Sequence, residues 1–311
     1  MESSQHANAS TGILTYGSPI LIIPGVIGNL FCLVVLQQKY YRRTTFGFLL
    51  SALALADTGV LLTGLLRLWI LQIGNTDVRC LSRIGCKVHV FFTYFFPQLS
   101  SWMIVLVTLE RTLGLMQRCR RFLTFNVVVL TWMATTLLIV FAAQYPTIVH
   151  SLETPHGLGL PDNFTVCIPH QQERLFGDVY SWIDFVFVVF IPFVIIVICN
   201  GVIIHNKVKT NKRFSSKIMM LLSMCAVFIL TTIPRSVYFL GLPWDGVNTD
   251  RKSLFYSSCI IIYNTSNAVN FLLYSVASRK FRTTTRSLFW SNREELQEES
   301  VDEDEGQYFV N

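Results

Sequence analysis

The residues of this sequence with the clearest chemical potential are the few ionisable groups that interrupt long apolar segments. Asp57 follows a short Leu-Ala repeat, and Glu110 precedes Arg111 near the end of another apolar segment. A charge at membrane depth is costly, so it usually faces a cavity or the interior of a helix bundle. Asp57 could hold a small cation or a water network, or serve structure alone. The Glu110–Arg111 pair could retain its guanidinium until a partner competes for it, or simply be a solvated helix end.

The elements that position these groups follow from the composition. The chain has 311 residues, of which 52% are hydrophobic and 14% charged, whereas an ordinary soluble domain has about 25% charged residues. A helix needs about 20 mostly apolar residues to cross a membrane, and the sequence has neither an internal repeat nor a block of soluble-domain size. We therefore predict an all-α membrane protein with seven spans, over residues 12–38, 46–72, 84–113, 123–146, 178–204, 216–242 and 254–277.

Basic residues give the direction of these spans. Most of the 25 lysines and arginines lie in the loops after spans one, three and five and after span seven, and cytoplasmic loops carry such an excess. The pattern predicts an extracellular tail at 1–11, a membrane domain at 12–290 and an acidic cytoplasmic tail at 291–311. Glycosylation sequons at Asn8 and Asn163 lie on predicted outer segments,. The net charge of +6 is then a topology signal, and we expect no nucleic-acid partner.

Three cysteines lie on the predicted outer side, where a disulfide can persist. Cys86 begins the third span, Cys167 lies in the loop before the fifth, and Cys80 precedes both. A bridge between Cys86 and Cys167 would fix that loop over the bundle. We predict this pair, and a bridge that uses Cys80 is the alternative.

Markers in a fixed order along the spans carry a resemblance to a known family. The chain resembles the rhodopsin-like, class A family of G-protein-coupled receptors over residues 12–290. The markers are Gly28-Asn29, Leu53-Ala54-Leu55-Ala56-Asp57, Cys86, Glu110-Arg111-Thr112, Trp132, Pro192, Pro234 and Asn270-Phe271-Leu272-Leu273-Tyr274. The segment that begins at Ser278 is similar to the amphipathic eighth helix of the family, which lies against membrane lipid.

The resemblance implies a receptor that catalyses no reaction itself, so we expect no enzyme activity. An extracellular ligand would favour an outward swing of the sixth span, which contains Pro234, and open a cleft for a heterotrimeric G protein that then exchanges its nucleotide. Arg111 would be released from Glu110, and Tyr274 and Asn270 would hold the active packing. The resemblance also implies a sodium site, the one expected cofactor, formed by Asp57, Ser100 and Asn270.

Some positions depart from the family pattern and bear on its switching. Thr112 replaces the usual tyrosine, Phe271 replaces the usual proline, Asn200 replaces a tyrosine of the fifth span, and the tryptophan expected before Pro234 is absent. An Asn-Phe-x-x-Tyr ending is similar to that of several invertebrate neuropeptide receptors of the FMRFamide type.

Two ligand classes are disfavoured by single positions of the family pattern. Thr93 stands where amine receptors have aspartate, and Asn264 stands where opsins have the retinal lysine. We predict a mixed, aromatic-rich ligand pocket, in which arginines could bind an acidic group, and Asp184 could pair with a ligand arginine or neutralise an arginine of the receptor. The candidate pocket residues are Arg67, Thr93, Asp184, Arg235, Tyr238 and Tyr263.

The predicted function is that of a neuropeptide receptor in the plasma membrane. The alternatives are a small-molecule or lipid receptor of the same fold, a seven-helix transporter or channel, and a scaffold that has lost signalling. In the acidic tail, Ser300 is a candidate site for a receptor kinase and thereby an arrestin contact.

Overall fold

The computed structural model describes residues 2–115, 125–153, 166–169, 182–211, 213–239 and 249–289. The predicted glycosylation site at Asn163 and the acidic tail at 291–311, with Ser300, lie outside these residues, as does the side chain of Asn8. Statements about the structure refer to the described part of the chain.

The fold is a bundle of seven helices followed by a short eighth helix, as predicted. The second helix contains a π-helical segment at Leu61–Leu65, and the seventh is interrupted at Val269. The seven helices are Glu2–Leu36, Thr45–Gly74, Arg83–Leu115, Phe125–Val149, Trp182–Lys209, Ser216–Phe239 and Thr249–Ala268 with its continuation Asn270–Ala277, and the eighth is Arg279–Phe289.

Six of these helices are long and apolar enough to cross a membrane. The seventh falls below that standard because it begins with Thr-Asp-Arg-Lys and is rich in serine, threonine and asparagine. The first helix begins at Glu2 and not at 12, so the polar residues predicted as a tail continue its backbone helix. A hydropathy pattern marks only the apolar part of a helix, whereas backbone hydrogen bonding can extend beyond it.

The fifth helix widens into a π-helical segment, Val186–Phe190, immediately before Pro192. The backbone N–H of Ile191 donates to the carbonyl of Val186, five residues earlier. Proline has no N–H and disturbs the regular ladder of an α-helix, and a π segment is one way to accommodate an extra residue in a helix. The fifth helix is therefore locally irregular beside Asp184.

A two-stranded hairpin covers one end of the bundle. Strands His150–Glu153 (β1) and Val166–Pro169 (β2) are antiparallel, with Leu152 opposite Cys167. Cys167 forms a disulfide with Cys86 at the start of the third helix, as predicted, and Cys80 is unpaired. We call this the disulfide end. The opposite end, where Arg111, Lys217 and Lys280 lie, is the basic end.

The eighth helix is attached to the bundle through a buried aromatic cluster. Phe281 is fully buried, and its ring lies 5.7 Å from that of Tyr274 and 6.0 Å from that of Phe271. Ser278 immediately precedes the helix, and its hydroxyl accepts a hydrogen bond from the backbone N–H of Phe281. These contacts explain why the chain turns directly from the seventh helix into the eighth.

Replacement of Gly47 by alanine is expected to destabilise the bundle. A Cβ atom at Gly47 would collide with the backbone carbonyl of Tyr41, which a side-chain rotation cannot relieve. Overpacking of this kind costs about 1–3 kcal/mol, which a lower melting temperature of the purified protein would reveal. Gly201→Ala is the matched control, because no atom lies within 4 Å of its Cβ; an equal loss in both variants would contradict the steric explanation.

Candidate functional site

A cavity of about 280 Å³ lies within the bundle near the disulfide end. It is bounded by the second, third, fifth, sixth and seventh helices and by His150 of strand β1. Its lining combines apolar and aromatic side chains with a few convergent polar groups, which is the usual character of a ligand site. The charged and amide side chains of the lining are Arg67, Arg79, Gln98, Asp184, Arg235 and Asn264.

Two arginines at this cavity share one carboxylate. Arg67 donates from Nε to Oδ1 of Asp77 at 3.0 Å and from Nη2 to Oδ2 at 2.6 Å. Arg79 donates to the same group from Nη2 at 2.9 Å and also from its backbone N–H at 3.0 Å. Two cations and one anion leave a net positive charge of about one at this side of the cavity.

Asp77 should make stability depend on pH in the acid range. Burial by itself raises the pKa of the Asp77 carboxyl, but hydrogen bonds from Arg67 and Arg79 outweigh it and hold the pKa well below its usual range. A depressed folded-state pKa contributes stability that is present above the unfolded pKa of about 3.9 and is lost as pH falls through the folded pKa. Asp77→Asn should thus lower the melting temperature at pH 7, and the gap to wild type should close in acid. A gap that is constant with pH would contradict this.

Four of the other five predicted pocket residues line the cavity. Asp184 accepts a hydrogen bond from Nε2 of Gln98 at 3.0 Å. The guanidinium carbon of Arg235 lies 4.3 Å from the centre of the Tyr263 ring. Thr93 lines the cavity. Tyr238 is not among the lining residues, and its ring instead lies 5.1 Å from that of Tyr256.

A second polar site lies around Asp57, which is 2% exposed. Its carboxylate accepts hydrogen bonds from the hydroxyl of Ser100 at 2.5 Å and from Nδ2 of Asn270. These are the three residues of the predicted sodium site. A cavity of about 10 Å³ adjoins them and is also lined by Ser266 and Asn267, which is room for about one water-sized particle.

At the basic end, residues of the second helix contact both members of the Glu110–Arg111 pair. Nε of Arg111 lies 3.1 Å from Oε2 of Glu110, whose side chain is 3% exposed. Thr45 donates to Oε1 of Glu110 at 2.7 Å, and the Phe46 ring lies 4.1 Å below the Arg111 guanidinium. A buried, hydrogen-bonded carboxylate is not a solvated helix end, and the release of Arg111 to a partner stays a prediction.

The sixth and seventh helices meet through Met224 and Tyr274. The Tyr274 hydroxyl is fully buried and donates to the sulfur of Met224 at 3.6 Å. Pro234 lies within the continuous sixth helix, Ser216–Phe239. A shift of the sixth helix would therefore have to break the contact of Met224 with Tyr274.

The sequence was compared with known protein families, and the result agrees with the seven-helix bundle. The sequence model of the family described as "7 transmembrane receptor (rhodopsin family)" matches residues 28–274, more than half of the chain. The chain belongs to the rhodopsin family of seven-transmembrane receptors. Its family and its relatives are receptors and not enzymes, and as a member it is a multi-pass membrane protein.

The chain is similar to several named receptors, which differ in length. The chain is 25% identical to the human platelet-activating factor receptor, over 88% of this chain and 84% of the relative. It is 27% identical to the octopressin receptor of Octopus vulgaris, over 58% of this chain and 42% of the relative. It is 23% identical to the lutropin-choriogonadotropic hormone receptor of Sus scrofa over 85% of this chain, but spans only 38% of that relative. The finer resemblance to FMRFamide-type receptors stays a prediction.

Several residues of this receptor's site were not predicted from sequence. Asp77 and Arg79 stand two positions apart in the short loop between the second and third helices, and that pairing of charges is the available signal. At Asn264 the sequence pattern argues only against retinal. Thr45 gave no signal, because a threonine at the start of a helix is an ordinary residue there.

Proposed function

We propose that this receptor binds an extracellular peptide and promotes nucleotide exchange on a heterotrimeric G protein. The observation that carries the proposal is that one continuous helix, Arg83–Leu115, contributes residues both to the large cavity and to the Glu110–Arg111 pair. Thr93 and Gln98 of this helix line the large cavity, and Glu110 with Arg111 forms the closed ion pair about 18 Å from Gln98 along the helix axis,. A ligand that moves this helix or its neighbours can thus act on Arg111.

The orientation follows from charge and redox chemistry. The basic end would face the cytoplasm, where lysines and arginines are retained, and the disulfide end would face the oxidising exterior. The amino terminus would then lie outside and the carboxyl terminus inside. In this orientation the cavity would face an extracellular ligand and Arg111 would face the G protein.

The size of the cavity bears on the kind of ligand. A volume of about 280 Å³ is near the lower limit of about 300–1,000 Å³ for ligand pockets, so only the terminal residues of a peptide would enter it. A small molecule is the second candidate, since this volume suits one as well. The relatives include a platelet-activating factor receptor and an octopressin receptor.

We also propose that sodium binds at Asp57, Ser100 and Asn270. Carboxylate, hydroxyl and amide oxygens are the ligands that hard cations prefer, and the adjoining cavity of about 10 Å³ suits a single ion. The ion would add to the hydrogen bonds that join the second, third and seventh helices at Asp57. Ligand binding would then have to favour another arrangement by a few kcal/mol to shift the population.

A signalling assay tests the proposed function. Cells that express the receptor and a promiscuous G protein are challenged with amidated peptides and with small molecules, and Arg111→Ala is compared with Lys209→Ala, an exposed residue at the same end. We expect a response that Arg111→Ala abolishes and Lys209→Ala retains, at equal surface expression. A ligand response unaffected by Arg111→Ala, or solute transport without a G protein, would contradict the proposal.

A further inference from the structure

Two buried amide side chains at the large cavity each have an oxygen without a hydrogen-bond donor. Gln98 is 1% exposed and Asn264 is 4% exposed. Nε2 of Gln98 donates to the carboxylate of Asp184, and Nδ2 of Asn264 donates to the backbone carbonyl of Ile260. Both partners can only accept, so each NH₂ group must face its partner and each oxygen must point away. Neither Gln98 Oε1 nor Asn264 Oδ1 has a donor among the described residues.

A third acceptor lines the same cavity. Asp184 uses Oδ1 to accept from Gln98, and in the part of the chain that is described it forms no salt bridge. Arg235 lines the same cavity, but its guanidinium lies against the Tyr263 ring. A buried acceptor without a donor is unfavourable, so this group of three acceptors needs N–H or O–H groups that the described protein does not supply. We call Gln98, Asp184 and Asn264 the acceptor cluster.

The cavity is polarised from one end to the other. Gln98 lies only about 3 Å along the third helix from Ser100, whose hydroxyl contacts Asp57,. Arg67 lies about 15 Å along the second helix from the same aspartate. Asp184 contacts Gln98, and Asn264 lies about 9 Å along the seventh helix from Asn270, the other partner of Asp57,. The acceptor cluster is therefore nearer the floor of the cavity than the positive group of Arg67, Arg79 and Asp77, which is at its rim.

On the basis of the proposed function, in which this cavity is the ligand site, we propose that the acceptor cluster binds a guanidinium or ammonium group of the ligand. A guanidinium or ammonium head supplies several N–H donors and a positive charge, which match the two amide oxygens and the carboxylate of Asp184. The net positive charge at the rim repels a cation and attracts an acid. It would orient the ligand with its cationic head toward the floor and a neutral or acidic part toward the rim.

The opposite orientation is disfavoured by the same groups. An anionic group at the floor would face the Asp184 carboxylate and two carbonyl oxygens, and none of these can donate a hydrogen bond. Arg235 alone would attract it. A ligand without N–H groups would leave both amide oxygens unsatisfied.

Direct binding measured without a G protein tests this inference. The probes are amidated tetrapeptides that carry arginine, lysine, citrulline or norleucine at one position, and a parallel set of small organic guanidines and amines that includes agmatine. Citrulline preserves the shape of arginine and removes its charge. We expect probes with a cationic head to bind the purified receptor at least about tenfold more tightly than their uncharged counterparts, because desolvated charge pairs have effects of this size or more.

Variants of the cluster sharpen the result. Asp184→Asn should remove the preference for arginine over citrulline, and Asp184→Glu should restore part of it. Asn264→Leu should weaken the cationic probes while the melting temperature is retained, because it deletes an acceptor that lacks a donor. Selectivity among the small guanidines and amines, and not among the peptides, would identify a small-molecule source for the same head group.

The outcomes separate this inference from the proposed function. Equal binding of arginine and citrulline probes would overturn the inference, as would the absence of binding by every probe. Selective binding of cationic probes without any G-protein response would support it and contradict the proposed coupling. A G-protein response of equal potency for arginine and citrulline peptides would contradict the inference and support the proposed coupling.

Discussion

Replacement of Cys167 by serine is expected to remove most of the receptor from the cell surface. The disulfide joins residues that are 81 positions apart and ties strand β2 to the start of the third helix. In the chain-entropy description, closing a loop of this length stabilises a fold by about 4–5 kcal/mol. Cys86 and Cys167 are both almost fully buried, so Cys167→Ser would also leave a thiol and a polar hydroxyl in the buried space that the bridge occupies.

Surface labelling of an epitope tag at the amino terminus, together with the melting temperature of the purified protein, measures this effect. Cys80→Ser is the matched control, because Cys80 packs against the bridged pair but is itself unpaired. We expect Cys167→Ser to lose most of its surface signal and Cys80→Ser to retain it. The opposite ranking would show that Cys80 belongs to the bridge.

Removal of the amide at Asn270 is expected to be nearly as costly. Asn270→Leu would leave the buried carboxylate of Asp57 with Ser100 as its remaining partner among the described residues. A hydrogen bond to a charged group contributes about 1.5–3 kcal/mol, and a buried acceptor that loses its donor also bears its desolvation penalty. The melting temperature should fall by several degrees.

The proposed sodium ion gives this series a second readout. An ion at ten times its dissociation constant stabilises the folded protein by about 1.4 kcal/mol, so sodium chloride should raise the melting temperature above that in choline chloride at equal ionic strength. Asp57→Asn keeps the shape of the side chain and removes its charge, and it should abolish the sodium effect. A wild-type melting temperature that is the same in both salts would contradict a sodium site.

Much of the site could be predicted because its residues are exceptions to a simple pattern. Asp57, Glu110, Arg111, Asp184 and Arg235 stand out since few charges occur within apolar segments. The structure places Asp57 beside Ser100 and Asn270, and Asp184 and Arg235 on one cavity. Aromatic residues carry no such signal, because they occur equally in cores and pockets. Tyr256 lines the cavity, whereas the predicted Tyr238 packs against the Tyr256 ring and is not a lining residue.

The sequence by itself determined the number and order of the helices, the candidate cysteines and the buried charges, because the length and polarity of a segment are local properties that a membrane constrains directly. Only the tertiary structure decided the partners. Asp77 joins Arg67 to Arg79, Gln98 meets Asp184 across 86 positions, and Thr45 closes on Glu110 across 65. Such pairs depend on how the helices rotate and pack against one another. That choice is made by side-chain contacts between distant segments, which periodicity along the chain does not record.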